Sequence, residues 1–135
     1  MPVNDGDRVP VFRAHGVRYQ TRDVNRAVTF YTEHLGCELK HQQGAAFAAV
    51  SCGGIDLLLS GAESSGARPM PDGTKPAPGG WNRLHFIVAD VAAEVERLRA
   101  AGVHFRSDVV SGPGGQQIVL DDPSGNPIEL FTPAG

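Results

Sequence analysis

The sequence predicts an α+β fold assembled from two copies of one β-α-β-β-β unit. Three observations carry that reading. Two amphipathic stripes of helical spacing are each introduced by an aspartate, Asp23 and Asp90, 67 positions apart; each stripe follows a short alternating segment; and each precedes three short strand-like segments punctuated by glycine. Two copies are too few for a solenoid, so they are expected to pair face to face or edge to edge as one closed body.

The first copy begins after a polar tail. Gly16 to Thr21 alternates in type and stops at Arg22-Asp23, a short strand handing over to a helix N-cap. Val24, Ala27, Val28, Tyr31 and Leu35 then recur at helical spacing, and Gly36 offers the left-handed residue that ends the helix. Glu38 to Gln42, Ala45 to Cys52 and Ile55 to Ser60 have strand character, with turns at Gln43-Gly44 and Gly53-Gly54. The second copy repeats this grammar. Arg83 to Val88 alternates, Asp90 caps, Val91, Val95 and Leu98 form the stripe, and Gly102 stops it. Its three strands are expected at Val103 to Val109, Gln116 to Leu120 and Ile128 to Thr132, with turns at Gly112 to Gly115 and Asp122 to Asn126. Between the copies, Ser60 to Gly80 holds glycines at 61, 66, 73, 79 and 80 and prolines at 69, 71, 76 and 78. Such a stretch is expected to form no regular structure, and it reads as a linker or as a loop over a site. The organisation expected is one domain over 1–135: module one about 13–60, the linker loop 61–80, and module two about 81–133.

Composition narrows the function. With Lys+Arg 12 against Asp+Glu 15 and a formal net charge of -3 among 135 residues, there is no basic excess to neutralise a phosphate backbone, so nucleic acid is not an expected partner. Met1 to Phe12 carries Asp5, Asp7 and Arg8 and no apolar run, which reads as neither a signal peptide nor a spanning helix. A cytoplasmic location without membrane attachment is the expectation. Cys37 and Cys52 are too few for a disulfide framework and lack metal-site spacing, so both read as reduced, buried thiols.

Two segments carry a family resemblance. Asp23-Val-Asn-Arg-Ala-Val-Thr-Phe-Tyr31 with Leu35-Gly36, and Asp122-Pro-Ser-Gly-Asn-Pro-Ile-Glu-Leu-Phe131, resemble the "D…FY…LG" and "DPxGNxxEL" signatures of the vicinal oxygen chelate superfamily of glyoxalases, ring-cleaving dioxygenases and bleomycin-resistance proteins. The resemblance implies that the modules form a cup-shaped mixed sheet with helices packed outside. It also implies four metal-ligand positions in metal-dependent members, one on the first and one on the last strand of each unit. The first-strand position, seven residues before the capping aspartate, falls on Gly16 and on Arg83. The last-strand position falls on Glu129 and, by aligning Gly53-Gly54 with Gly125-Asn126, on Leu57. One donor in four is short of the three that catalytic metal sites use. His85, two residues from Arg83, adds only a second, and His15 points away from the face of Gly16. No metal and no other cofactor is therefore expected.

Alternation then predicts the lining of the cup: Gly16, Arg18 and Gln20; Arg83, His85 and Ile87; Leu57, Leu59, Glu129 and Phe131. Val17, Tyr19, Leu84, Phe86 and Val88 would pack against the helices. Guanidiniums, an imidazole, one carboxylate and an apolar floor suit an organic ligand with polar substituents. Arg83 is expected to take the electrostatic place of the metal by pairing with Glu129. Trp81 reads either as a packed strand-edge anchor or as an aromatic wall of the cleft. Phe47 reads more readily as core, though it too is a candidate ligand contact. Arg18 is a solvated strand charge or an anion clamp, Glu129 a ligand contact, and His85 a hydrogen-bonded pocket residue rather than a general base. His34, His41 and His104 have no assigned role, and Glu94, Glu96, Arg97 and Arg99 read as a solvated helix face.

The leading functional expectation is a non-catalytic, homodimeric binder that sequesters a cytotoxic natural product such as an antibiotic, as bleomycin-resistance proteins do. The alternative is an enzyme of the glyoxalase or dioxygenase type, metal-dependent or moving a proton through His85 or Glu129. A third reading is a small-molecule sensor or biosynthetic helper.

Overall fold

The computed structural model describes residues 11–135, so most of the polar tail, including Asp5, Asp7 and Arg8, lies outside the described residues. In chain order the first module comprises β1 (Gly16–Gln20), α1 (Val24–Thr29) running into a π-helical turn (Phe30–His34), β2 (Glu38–Gln43), β3 (Phe47–Cys52) and β4 (Ile55–Ser60). The second comprises β5 (Leu84–Ile87), α2 (Val91–Ala100), β6 (Val110–Gly112), β7 (Gly115–Asp121) and β8 (Pro127–Pro133). Each module builds a four-stranded sheet of the same order, β1-β4-β3-β2 and β5-β8-β7-β6. In both, the first strand pairs parallel with the last and the other pairs are antiparallel. The α+β fold of two β-α-β-β-β modules is thus observed, with each helix as the crossover that a parallel pair requires.

The helices form where the stripes place them. Asp23 accepts from the Arg26 backbone N–H at 3.0 Å and Asp90 from that of Ala93 at 3.3 Å, each satisfying a free donor of the first turn. Val24, Ala27, Phe30 and Tyr31 on one side, and Val91, Val95 and Leu98 on the other, are buried. The widened π turn lets the consecutive Phe30 and Tyr31 both enter the core, edge to face with centroids 5.1 Å apart. As expected from alternation, Tyr19 and Leu84 are buried and Val17, Phe86 and Val88 pack against that core.

Three local expectations are corrected. The segment 103–109 forms a single bridge, Phe105 to Leu120, rather than a strand, and β6 starts only at Val110. Arg106 fastens this stretch through its side chain instead, to Asp121 Oδ1 at 2.7 Å and to the carbonyls of Gly80 and Gly125. Within 60–80 there is one 3₁₀ turn, Ser65–Ala67. Cys37 and Cys52 are both buried, but they are joined as a disulfide rather than held as reduced thiols. The β2–β3 register explains this: Glu38 faces Ser51, so the residues just outside that pair are brought together although 15 positions separate them. Spacing alone does not reveal such a cross-strand pair.

The modules meet at the DPSGN turn, which packs on the first module. Asp122 Oδ1 accepts from the backbone N–H groups of Ser124 and Asn126, at 2.8 and 3.0 Å, and Oδ2 from Tyr31 Oη at 2.7 Å and Asn126 Nδ2 at 3.1 Å. Asn126 Nδ2 also donates to Gln20 O at 2.7 Å, and Ser124 Oγ sits 2.9 Å from Thr21 Oγ1. Beside them, Tyr19 Oη donates to Pro127 O and accepts from Leu84 N–H, both at 2.8 Å. Burial raises the pKa of Tyr31 well above the ordinary tyrosine value, reinforced by the charge of Asp122, and burial raises that of Tyr19 as well. Both phenols stay protonated and keep their donor roles. No described helix is long and apolar enough to cross a membrane.

Candidate functional site

Strand register fixes which side chains share the face opposite the helices, since residues paired across a ladder point the same way. In the first sheet Arg18 stands beside Leu58 and Gln20 beside Ser60, with Ala49 and Phe47 continuing the rows on β3. In the second, His85 stands beside Glu129 and Ile87 beside Phe131, with Val119 and Gln117 beyond them on β7.

This register overturns the placement of Leu57 and Leu59. They pair with Val17 and Tyr19 on the helix side and are fully buried in the core. The turn joining Cys52 to Ile55 holds only Gly53 and Gly54, whereas 122–126 joins Asp121 to Pro127, and matching the two turns from their ends shifts the alignment by one residue. A shift of one moves every side chain to the opposite face. The first-module counterpart of Glu129 is therefore Leu58, another residue without a donor.

In the second module the expected charge pair is formed. Arg83 Nε donates to Glu129 Oε1 at 3.0 Å and Nη2 approaches the same oxygen at 2.9 Å, while Nη1 donates to Trp81 O at 3.1 Å. His85 Nε2 lies 3.4 Å from the other carboxylate oxygen, and its ring lies 5.1 Å from that of Phe131. Glu129 is buried at 8% exposure, so its carboxylate needs these partners; a lone buried charge would cost several kcal/mol. Ile87, 63% exposed, extends this surface as an open apolar patch.

The remaining candidates divide between the modules. Arg18 Nη1 donates to Ser60 Oγ, and Gln20 Nε2 donates to Gly66 O at 2.9 Å, so the 3₁₀ turn of the linker crosses over β1. A Cβ at Gly66 would meet the Arg18 side chain, so the two lie in close contact. Phe47 is not core: it is half-buried and lines a cavity of about 380 Å³ with Arg18, Gln43, Ser64 and Ser65. Trp81 is 68% exposed at the rim, its ring 4.6 Å from the Arg106 guanidinium. The helical charges behave as a solvated face in part, Arg97 pairing with Glu94 at 2.7 Å.

Sequence reasoning missed Ser60, Leu58, Asn82 and Arg106 around this surface. Leu58 and Ser60 were recoverable from a correct turn alignment. Arg106 and Asn82 had no signal, because their positions follow from how the linker re-enters the second module.

A metal of the kind used by related folds finds no matching donor set. The four corresponding positions carry Gly16, Leu58, Arg83 and Glu129, and the one carboxylate among them is held by a guanidinium. No group of three or more His, Cys, Asp or Glu side chains is gathered for a metal among the described residues.

The two-module α+β architecture, two four-stranded mixed sheets each with one helix, defines the fold class. The Glyoxalase/Bleomycin resistance protein/Dioxygenase superfamily profile matches residues 13–130, and the chain belongs to that superfamily. No curated protein sequence matches it. Among solved structures it is similar to lactoylglutathione lyase from Agrobacterium tumefaciens, with a TM-score of 0.70 and 21% identity over 91% of this chain and 95% of that one. It is also similar to a genomically encoded fosfomycin resistance protein from Listeria monocytogenes, with a TM-score of 0.70 and 14% identity over 93% and 96%. Similarity to an antibiotic binding protein from Streptomyces sp. CB03234 runs at a TM-score of 0.64 and 26% identity, over 93% of this chain and 100% of that one.

Proposed function

We propose that this chain, a single two-module domain, is a metal-independent small-molecule binding protein that sequesters a cytotoxic natural product. The observation that carries the reading is the Arg83–Glu129 pair, in which the carboxylate that would bind a metal is held at 2.9 to 3.0 Å by a guanidinium. Sequestration needs a shaped, partly apolar surface and no Lewis acid, and His85, Ile87 and Phe131 beside that pair supply one. Arg18, Gln20 and Phe47 extend the contact surface on the first sheet, and Trp81 forms its rim. The likeness to an antibiotic binding protein at 26% identity points the same way.

The test joins metal analysis to ligand titration. Protein purified without chelator is expected to hold far less than one divalent ion per chain, and Trp81 fluorescence to respond saturably to a member of a panel of aromatic and polyketide-type antibiotics. The recovered compound should be unchanged. One bound ion per chain would overturn the reading.

A second reading, a metal-free catalyst, has the 3.4 Å approach of His85 to Glu129 in its favour. A chemically altered compound after incubation, lost on His85→Gln, would establish it instead.

A further inference from the structure

We infer that the cup holds a ligand with an anionic head, a carboxylate or a similar oxyanion, on Arg18 at the seam between the two sheets. The inference rests on the binding role proposed above and narrows the class of compound bound.

It follows from the local balance of charge. The two guanidiniums on the cup face, Arg18 and Arg83, line one cavity of about 360 Å³ with Gln20 and Asn82. Arg83 is neutralised, since Glu129 takes both its Nε and its Nη2. Arg18 is not. Its only hydrogen bond among the described residues goes from Nη1 to the neutral hydroxyl of Ser60, and no described carboxylate lies within 4.0 Å of it. Of the nearby acids, Asp56 is held by Lys40 at 3.2 Å and approached by His15 at 3.6 Å, and Glu63 lines the cavity beside Phe47 together with Arg18 without forming an ion pair to it among the described residues.

The guanidinium is also fixed in place. Ser60, which holds Nη1, is buried at 1% exposure, and the turn at Gly66 closes over the arginine. Among the described residues that leaves the Nε and Nη2 edge unused, two parallel N–H groups in the geometry that matches both oxygens of a planar carboxylate. Arg18 is exposed on β1, so the edge that Ser60 leaves free faces solvent and is open to a ligand. The apolar body of such a ligand would lie toward Phe131 and Ile87, across the Arg83–Glu129 pair.

The test uses the full chain, isotope-labelled for NMR titration, with two probes of one shape: naphthoate and its neutral amide, naphthamide. Wild type is expected to bind naphthoate at least tenfold more tightly. In Arg18→Gln the preference for naphthoate over naphthamide should collapse to within about twofold, and Arg18→Lys should recover part of it, since it keeps the charge but loses the fork. Equal affinities in wild type, or a preference surviving Arg18→Gln, would overturn the anion site and leave the binding role standing. If neither probe shifts any resonance of the two cup faces, both fall.

Discussion

The two modules share one topology and divide the work. In the first, the cup face is partly closed by its own linker: Gly66 lies over Arg18, Gln20 is tied to Gly66 O, and Phe47 lines the space beneath. In the second the face is open, with Ile87 63% exposed beside a buried carboxylate that is fully engaged. The turns before the last strands differ as well. A two-residue glycine turn precedes β4, and Gly53 and Gly54 both adopt positive φ with nothing packed around them. The five-residue DPSGN turn precedes β8, and its Asp122 is the hub of the contact between modules. A repeat can thus keep its ladder order while one copy supplies the joint and the polar site and the other supplies a fixed cation.

The sharpest way to break this comparison is at adjacent leucines of β4. Leu57→Ala is expected to destabilise by about 2–5 kcal/mol because it empties a fully buried position, whereas Leu58→Ala, on the cup face and half-buried, should cost about 1 kcal/mol. Denaturant midpoints measure both. If the order reverses, Leu57 is the cup residue after all and the counterpart of Glu129 moves back to it.

Only the first module carries a disulfide, which gives the next largest asymmetry. Closing the loop between Cys37 and Cys52, 15 residues apart, is expected to contribute about 3 kcal/mol, so Cys37→Ser should lower stability by about that much under oxidising conditions and leave the fully reduced protein nearly unchanged. Acid-trapping of thiols inside cells would show whether the Cys37–Cys52 pair is bonded there.

Much of this organisation was legible in the sequence. Asp23 and Asp90 cap as expected, the stripes Val24–Ala27–Tyr31 and Val91–Val95–Leu98 are buried, and Arg83 meets Glu129. These depend on local periodicity, or on one pairing between the first and last strands of a module. What stayed hidden depends on register. A one-residue error in matching two turns of unequal length sent Leu57 and Leu59 to the wrong face, and the Cys37–Cys52 contact appears only once Glu38 is known to face Ser51. The role of Gly66 was hidden for a related reason: nothing within 61–80 announces which glycine will meet an arginine on another element.

The smallest expected effect concerns the joint itself. Tyr31 and Tyr19, both from the first module, donate to Asp122 and to Pro127 O of the second, and burial raises the pKa of each. A tyrosine whose folded pKa is raised holds its proton after the unfolded chain has lost it, so its contribution is complete below the unfolded value near 10 and is lost as pH rises beyond it. Stability should therefore be flat toward neutral pH as far as these groups are concerned, then fall by about 1.4 kcal/mol per pH unit per tyrosine above roughly pH 10. Tyr31→Phe should remove one of the two slopes while lowering stability at neutral pH, because Asp122 loses a donor that its buried carboxylate needs. A Tyr31→Phe protein with an unchanged alkaline slope would mean that the joint opens before Tyr31 ionises, and that the two modules unfold separately rather than as one body.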